Sequence, residues 1–273
     1  IPVLLHEANR VAGRSIRFLA GMADMIFLPE GVPLSGVEPR RLRRLGMPLR
    51  KEVRHIPKDT IRRKMGIPFH DKVLVVAGGS QGAEILNTWV ERHHRSVGAD
   101  GIWTLLVTGP GKNKLPEVVR ISSDSGSGVE TRTFSFHPAM HELLSCADVV
   151  VSRAGAGTVA EIITCLAPSI LIPYPFAADG HQFANARDLE RRGGCISIPQ
   201  ENLKDLYREI LDLIYNDWLL SRMRDNLRRL GHGDSAAQLA GFIARTYTDS
   251  KPARRFAHDG LNPIRNPIDH EQV

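Results

Sequence analysis

Residues 149–186, VVVSRAGAGTVAEIITCLAPSILIPYPFAADGHQFANA, carry the side chains best suited to chemistry, gathered at two strand-to-helix turns. Ser152, Arg153, Gly155, Ala156, Gly157, Thr158 and Glu161 cluster at the first turn, and Asp179, His181, Gln182 and Asn185 at the second. Small residues at a helix start leave free amides open to an anion, and the helix macrodipole favours one, so the pattern points to a phosphorylated ligand. Two readings of Glu161 stand at this point. Its two acceptor oxygens suit the adjacent hydroxyls of a ribose. Alternatively, Thr158-Val159-Ala160-Glu161 fits a capping box in which the carboxylate bonds back to the Thr158 amide. Gln182 and Asn185, three apart, share a helix face. Their amides could hold sugar hydroxyls, or simply decorate a helix start near Asp179. A second glycine-rich turn, Gly78-Gly79-Ser80-Gln81-Gly82-Ala83, lets backbone approach a phosphate closely and adds the Ser80 hydroxyl. It lacks the Gly-Lys-Ser/Thr of a Walker loop and the glycine spacing of a dinucleotide fingerprint; a tight turn needing small residues is the plain alternative. His6 and Glu7 follow an apolar run and form a candidate acid–base pair, against which a structural histidine is the competing reading. His137 and His141 have the i, i+4 spacing of a zinc helix, but no Glu lies between them and Pro138 follows His137, so no metal site is expected.

These residues need strands and helices to hold them. Apolar runs at 2–5, 25–28, 72–77, 103–108, 131–136, 149–152, 169–173 and 195–198 read as strands. Helical spacing appears over 9–23, 83–96, 140–146, 159–166, 181–192, 203–215, 217–230 and 235–246. Residues 46–60, with Pro48 and Pro57 among charges, read as a linker, and the polar stretch 117–128 as an exposed loop. Strands alternating with helices predict an α/β fold with a doubly wound parallel sheet whose post-strand loops line one edge. The expected organisation is a unit over 1–50, a larger unit over 51–230, a helix over 231–248 and a disordered tail over 249–273.

With 273 residues, 42% of them hydrophobic and 24% charged, the chain has an ordinary globular composition. No apolar run approaches the roughly 20 residues of a membrane span, and no basic head precedes the first apolar run as in a secretory signal. The sequence starts at Ile1 within an apolar run and is expected to be a piece whose front is absent. Three cysteines without metal spacing, Cys146, Cys165 and Cys195, suggest buried reduced thiols. The net charge of +6 concentrates in Arg40, Arg41, Arg43, Arg44, Arg50 and Lys51, and then Arg62, Arg63 and Lys64. An anionic membrane surface or a solvated surface between units fits these blocks. No nucleic-acid motif supports that partner.

In order, His6-Glu7-Ala8-Asn9, Gly46-Met47-Pro48-Leu49-Arg50, Gly78–Ala83, Ser152–Thr158 with Glu161, and Asp179–Ala186 resemble the MurG family of peptidoglycan N-acetylglucosaminyltransferases. The resemblance covers roughly residues 1–247. It implies a GT-B architecture of two Rossmann-like domains facing a cleft, the first of them truncated here. It also implies inverting transfer of N-acetylglucosamine from UDP-N-acetylglucosamine to the muramoyl 4-hydroxyl of lipid I, forming lipid II, without a cofactor or obligatory metal. By position, Arg50 and Ser80 would contact the donor diphosphate, with Gln81 beside them. The His137 backbone would read the uracil, and Ala156, Gly157 and Thr158 would line the diphosphate and sugar. Glu161 would hold the ribose, Gln182 and Asn185 the transferred sugar, and Asn9 would face that sugar from the opposite wall. The partners implied are UDP-N-acetylglucosamine, undecaprenyl-linked lipid I and the inner face of the bacterial cell membrane, visited by a cytoplasmic, peripheral enzyme. The family's Gly-Gly-Thr-Gly-Gly-His loop is not in this sequence. Its usual Gln is Ala8, and Leu106-Val107-Thr108-Gly109 is more apolar than the usual His-Gln-Thr-Gly. His6 and Glu7 remain the acid–base candidates on that side. The alternatives are another GT-B transferase acting on a lipid or small aglycone, or a nucleotide-sugar-binding fragment without catalysis.

Overall fold

The structure is a computed structural model describing residues 2–79, 82–124, 126, 128–231 and 233–248. Ser80, Gln81 and the 249–273 tail lie outside the described residues. In chain order the elements are β1 (Leu4–His6), α1 (Arg14–Leu19), β2 (Met25–Leu28), β3 (Leu42–Arg44), α2 (Lys58–Met65), β4 (Lys72–Ala77) and α3 (Glu84–Ala99). There follow β5 (Ile102–Val107), β6 (Val118–Ser122), β7 (Gly128–Phe134), α4 (Met140–Cys146), β8 (Val149–Ser152), α5 (Ala156–Cys165) and β9 (Ser169–Leu171). The last are α6 (His181–Arg191), β10 (Cys195–Ser197), α7 (Leu206–Ile214), α8 (Asp217–Leu230) and α9 (Ser235–Thr248).

Apart from the half-buried Lys72 that opens β4, strands β4, β5 and β8 are buried along their length, as a sheet covered on both faces requires. Alternation divides their side chains between two layers. Leu74 and Val76 pack with Leu86, Trp89 and Val90 of α3 and with Ile210 and Leu213 of α7. Val73 and Val75 pack on the other face with Ile61 of α2 and with Leu143 and Leu144 of α4. The seven-stranded sheet has the order β10-β9-β8-β4-β5-β7-β6, parallel except for β6. The chain builds outward from β4 through β5 to β7, then returns to β8 and builds the opposite way. The reversal between β4 and β8 is a topological switch point, where ligands bind in such sheets.

A three-stranded parallel sheet, β1-β2-β3, forms from the first 44 residues. Ile26 and Leu28 pack on Ala20 and Val32 on one face. Met25 and Phe27 meet Leu239 and Phe242 of α9 on the other, the two phenyl rings edge to face at 5.2 Å. The C-terminal helix therefore returns to the N-terminal sheet.

Several expectations change. Residues 118–122 form an edge strand, not an exposed loop: Val119 and Ile121 alternate with exposed neighbours, and Arg120 pairs with Glu130 across the ladder at 3.2 Å. Helix α1 covers only 14–19 of the helical-looking stretch 9–23. The Glu7 carboxylate draws the amides of Ala8, Asn9 and Gly13 to itself and holds the segment between as a loop. The basic blocks are partly structural. Arg41 donates to the Ala20 and Ala23 carbonyls, and Arg44 to those of Pro29 and Val32. Arg62, 1% exposed, lies on α2, which the linker reading missed. It donates to Asp148 at 2.6 Å and to the Cys146, Phe69 and Asp71 carbonyls.

Candidate functional site

At the switch point the Ser152 hydroxyl donates to the Ala77 carbonyl at 2.5 Å, tying the carboxyl ends of β8 and β4 together. The turns leaving these strands open onto a cleft of about 990 Å3. Gly78 and Gly82 shape one wall, and both positions demand glycine. A Cβ on Gly78 would lie 1.9 Å from the Ala83 amide nitrogen. One on Gly82, at φ +67°, would lie 2.0 Å from the Thr108 carbonyl oxygen.

The opposite wall is the start of α5. Gly155 is its N-cap and Ala156 its first residue, with no side chain closing the cap. The helix thus begins earlier than the 159–166 expectation, and the capping-box reading of Glu161 fails because that residue sits more than a turn inside. Its half-buried carboxylate lines the cleft without a hydrogen bond or close ion pair among the described residues. Burial raises its pKa, opposed by the positive charge of Arg50, which lines the same cleft.

Gln182 projects from the first turn of α6. Its Oε1 accepts from the amides of Ala154 at 3.2 Å and Tyr174 at 3.0 Å, which orients its free Nε2 as a donor. Arg153, nearly buried, donates to the Ile172 and Pro173 carbonyls and to Gln200 Oε1 at 2.7 Å, and stacks on Tyr174. Among the described residues no carboxylate pairs with it, and burial lowers its pKa. It leaves a fixed positive charge beside the cleft. His137 lines the far end; its Nδ1 is buried and makes no hydrogen bond of good geometry among the described residues, and burial pushes the imidazole pKa down.

One cleft therefore joins Arg50, His137, Gly157, Thr158, Glu161 and Gln182 with the Gly78–Gly82 turn. Ala156 and Asn185 instead line a separate cavity behind α5. Asn185 is 2% exposed. Its Nδ2 donates to Asn9 Oδ1 and the Ala154 carbonyl, and its Oδ1 accepts from the Arg10 amide. Asn9 also donates to Glu7. Asn9 and Asn185 are thus joined to each other across the two sheets. Glu7, buried, accepts four hydrogen bonds at 2.7–2.9 Å from Ala8, Asn9 and Gly13, the geometry of a loop brace. His6 places Nε2 3.2 Å from the Gly46 carbonyl. None of His6, Glu7 and Asn9 lines either cavity. Among the described residues, no three His, Cys, Asp or Glu side chains converge as a metal site would require.

Sequence reasoning noted Arg153 but gave it no role, since a lone arginine after a strand does not reveal its missing counter-ion. Gln200 carried no signal at all; strand order alone delivers it beside Arg153.

A doubly wound sheet facing a smaller parallel sheet is the GT-B arrangement of glycosyltransferases. The solved structure of Acinetobacter baumannii MurG shares it, with a TM-score of 0.69 at 20% identity, over 90% of this chain and 67% of that one. The calicheamicin glycosyltransferase CalG4 follows with a TM-score of 0.58 at 16% identity, over 84% of this chain and 54% of that one. Residues 73–239 match the glycosyltransferase family 28 C-terminal domain, and the chain belongs to that family. Among curated relatives, a protein of Opitutus terrae is 43% identical over 86% of this chain. One of Gloeobacter violaceus is 33% identical over 89%. Both are named UDP-N-acetylglucosamine–N-acetylmuramyl-(pentapeptide) pyrophosphoryl-undecaprenol N-acetylglucosamine transferase. This chain spans 62% of the first relative's length and 67% of the second's.

Proposed function

We propose that this chain binds UDP-N-acetylglucosamine and serves the transfer of N-acetylglucosamine to lipid I, forming lipid II. The observation that carries the donor reading is Glu161: a half-buried carboxylate without a hydrogen-bond partner among the described residues, set between Arg50 and glycine-rich turns at a switch point. A ribose diol supplies the two donors that such a carboxylate lacks. In this reading the diphosphate lies across the Gly78–Gly82 turn and the start of α5, within reach of Arg50 and Thr158. The uracil lies toward His137, and the sugar accepts from Gln182 Nε2. As the sugar leaves, charge grows on the diphosphate. Arg50, the α5 amides and the uncompensated Arg153 cation are arranged to meet it. Glu7 holds the 8–13 loop in shape and His6 rests against the Gly46 carbonyl outside the cleft, so no acid–base role is assigned to either. We assign residues 1–50 to the acceptor-facing unit and 51–230 to the donor unit, with α9 clamping the two.

The acceptor reading draws on the names of the relatives. It requires a visit to the inner membrane face, for which Phe18, 82% exposed, and Met22, 66% exposed, beside the basic Arg14 and Arg17, offer an amphipathic surface. Among the described residues no helix is long and apolar enough to cross a membrane.

The test is calorimetry with UDP-N-acetylglucosamine alongside a transfer assay offering lipid I and diacylglycerol. The proposal expects saturable donor binding and sugar appearing in lipid I. Transfer to diacylglycerol alone would overturn the acceptor assignment. Binding without transfer would mark the chain as a nucleotide-sugar-binding module.

A further inference from the structure

Helix α5 presents two faces to two different spaces. Gly157, Thr158 and Glu161 face the nucleotide cleft. Val159, Ala160 and Ile163 wall a second cavity of about 310 Å3, which Leu49 and Val53 of the linker and Leu189 of α6 also line. This body is apolar, and its volume lies within the range of small-molecule sites.

The rim is cationic. Arg10 and Arg192, which line the cavity, share the single carboxylate of Asp188 at 3.1 Å each, and Arg191 reaches the same carboxylate at 3.4 Å. Three guanidinium groups thus draw on one negative charge. The Arg50 and Lys51 side chains also line the cavity and have no hydrogen-bond or ion-pair partner at bonding distance among the described residues. The other acid on the wall, Asp234, is engaged as a helix cap, accepting from the Ala237 amide at 2.8 Å. An apolar chamber with an under-neutralised cationic rim rejects a neutral polar guest, which would bury unpaired groups. It rewards a guest with an apolar body and an anionic head, since charge-assisted hydrogen bonds are the stronger ones.

We propose that this cavity is a binding site for a small amphiphilic anion, a short alkyl chain ending in a phosphate or carboxylate, with the chain against Val159, Ala160 and Ile163 and the head at Lys51 and Arg192. The site lies behind α5 and shares only Arg50 with the nucleotide cleft, and its test varies Ala160 and Lys51, which the nucleotide-sugar reading does not use.

Calorimetric titration with octyl phosphate, below its micelle-forming concentration, tests it on this chain. One saturable site is expected, with octanol binding at least tenfold more weakly. Ala160→Phe, which fills the chamber, should weaken octyl phosphate at least tenfold. Lys51→Glu, an exposed change that leaves packing untouched, should weaken it several-fold and leave octanol unchanged. Where Ala160→Phe does not fold, Lys51→Glu and the octanol comparison decide. No saturable binding to the unaltered chain, octanol binding as tightly as octyl phosphate, or Lys51→Glu binding like the unaltered chain would overturn the proposal.

Discussion

Two carboxylates with different surroundings have opposite duties. Glu7 is saturated by four hydrogen bonds, whereas Glu161 has none among the described residues. Removing an acceptor that satisfies several buried amides leaves them unpaired, so Glu7→Ala should cost about 2–4 kcal/mol in urea unfolding. Unaltered stability would show that the brace is dispensable. For Glu161 the sign is reversed. Its folded pKa is raised by burial, so the native state holds its proton more tightly than the unfolded chain does. Stability is therefore greatest below the ordinary carboxylate range and falls as pH rises toward the elevated value. Glu161→Gln should melt higher than the unaltered chain at neutral pH, and the difference should vanish below about pH 4, where both side chains are neutral. A lower melting temperature at neutral pH would mean that the carboxylate has a structural partner.

At the scale of elements, glycine geometry decides the cleft. Gly82→Ala places a methyl into the Thr108 carbonyl at a left-handed φ. We expect it to lower stability by about 2 kcal/mol or more and to weaken UDP binding together with it. A variant of full stability and affinity would contradict the tight-turn account. Much of the larger sheet was legible because its strands are unbroken apolar runs and its helices carry regular stripes. What escaped was masked by its neighbours in sequence or by a distant partner. The strand at 118–122, Val-Val-Arg-Ile-Ser, is itself rich in β-branched residues, but it runs straight into the Ser/Gly-rich stretch 122–128, and the two together read as a loop. Helix α2 carries the basic run Arg62, Arg63 and Lys64, which reads as solvated surface until Asp148, far away in sequence, appears beneath Arg62. Local pattern shows periodicity; it does not show the distant counter-ion. For the same reason the cleft residues were readable from turn chemistry, while the engagement of Asn185 with Asn9 was not, because that contact joins two sheets.

Across the whole molecule, the N-terminal sheet is fastened to the larger one by few but specific contacts. Asn185 bridges Asn9, Arg10 and Ala154, Arg10 pairs with Asp188, Arg14 and Arg17 reach Asp179, and α9 lays Phe242 on Phe27. Asn185→Ala removes the buried bridge and leaves the Arg10 amide and Asn9 to find other partners. Limited proteolysis should then cut the segment between β3 and α2 faster, and an unchanged cleavage rate would place the fastening in α9 and the arginine–aspartate pairs instead. The account as a whole depends on the cleft gripping a uridine diphosphate through Glu161. The most direct measurement is the calorimetric affinity for UDP of the unaltered chain and of Glu161→Ala. Saturable binding, weakened by about 1–3 kcal/mol in the variant without loss of fold, is the expected result. No UDP binding by the unaltered chain, or equal affinity in a folded Glu161→Ala, would contradict it.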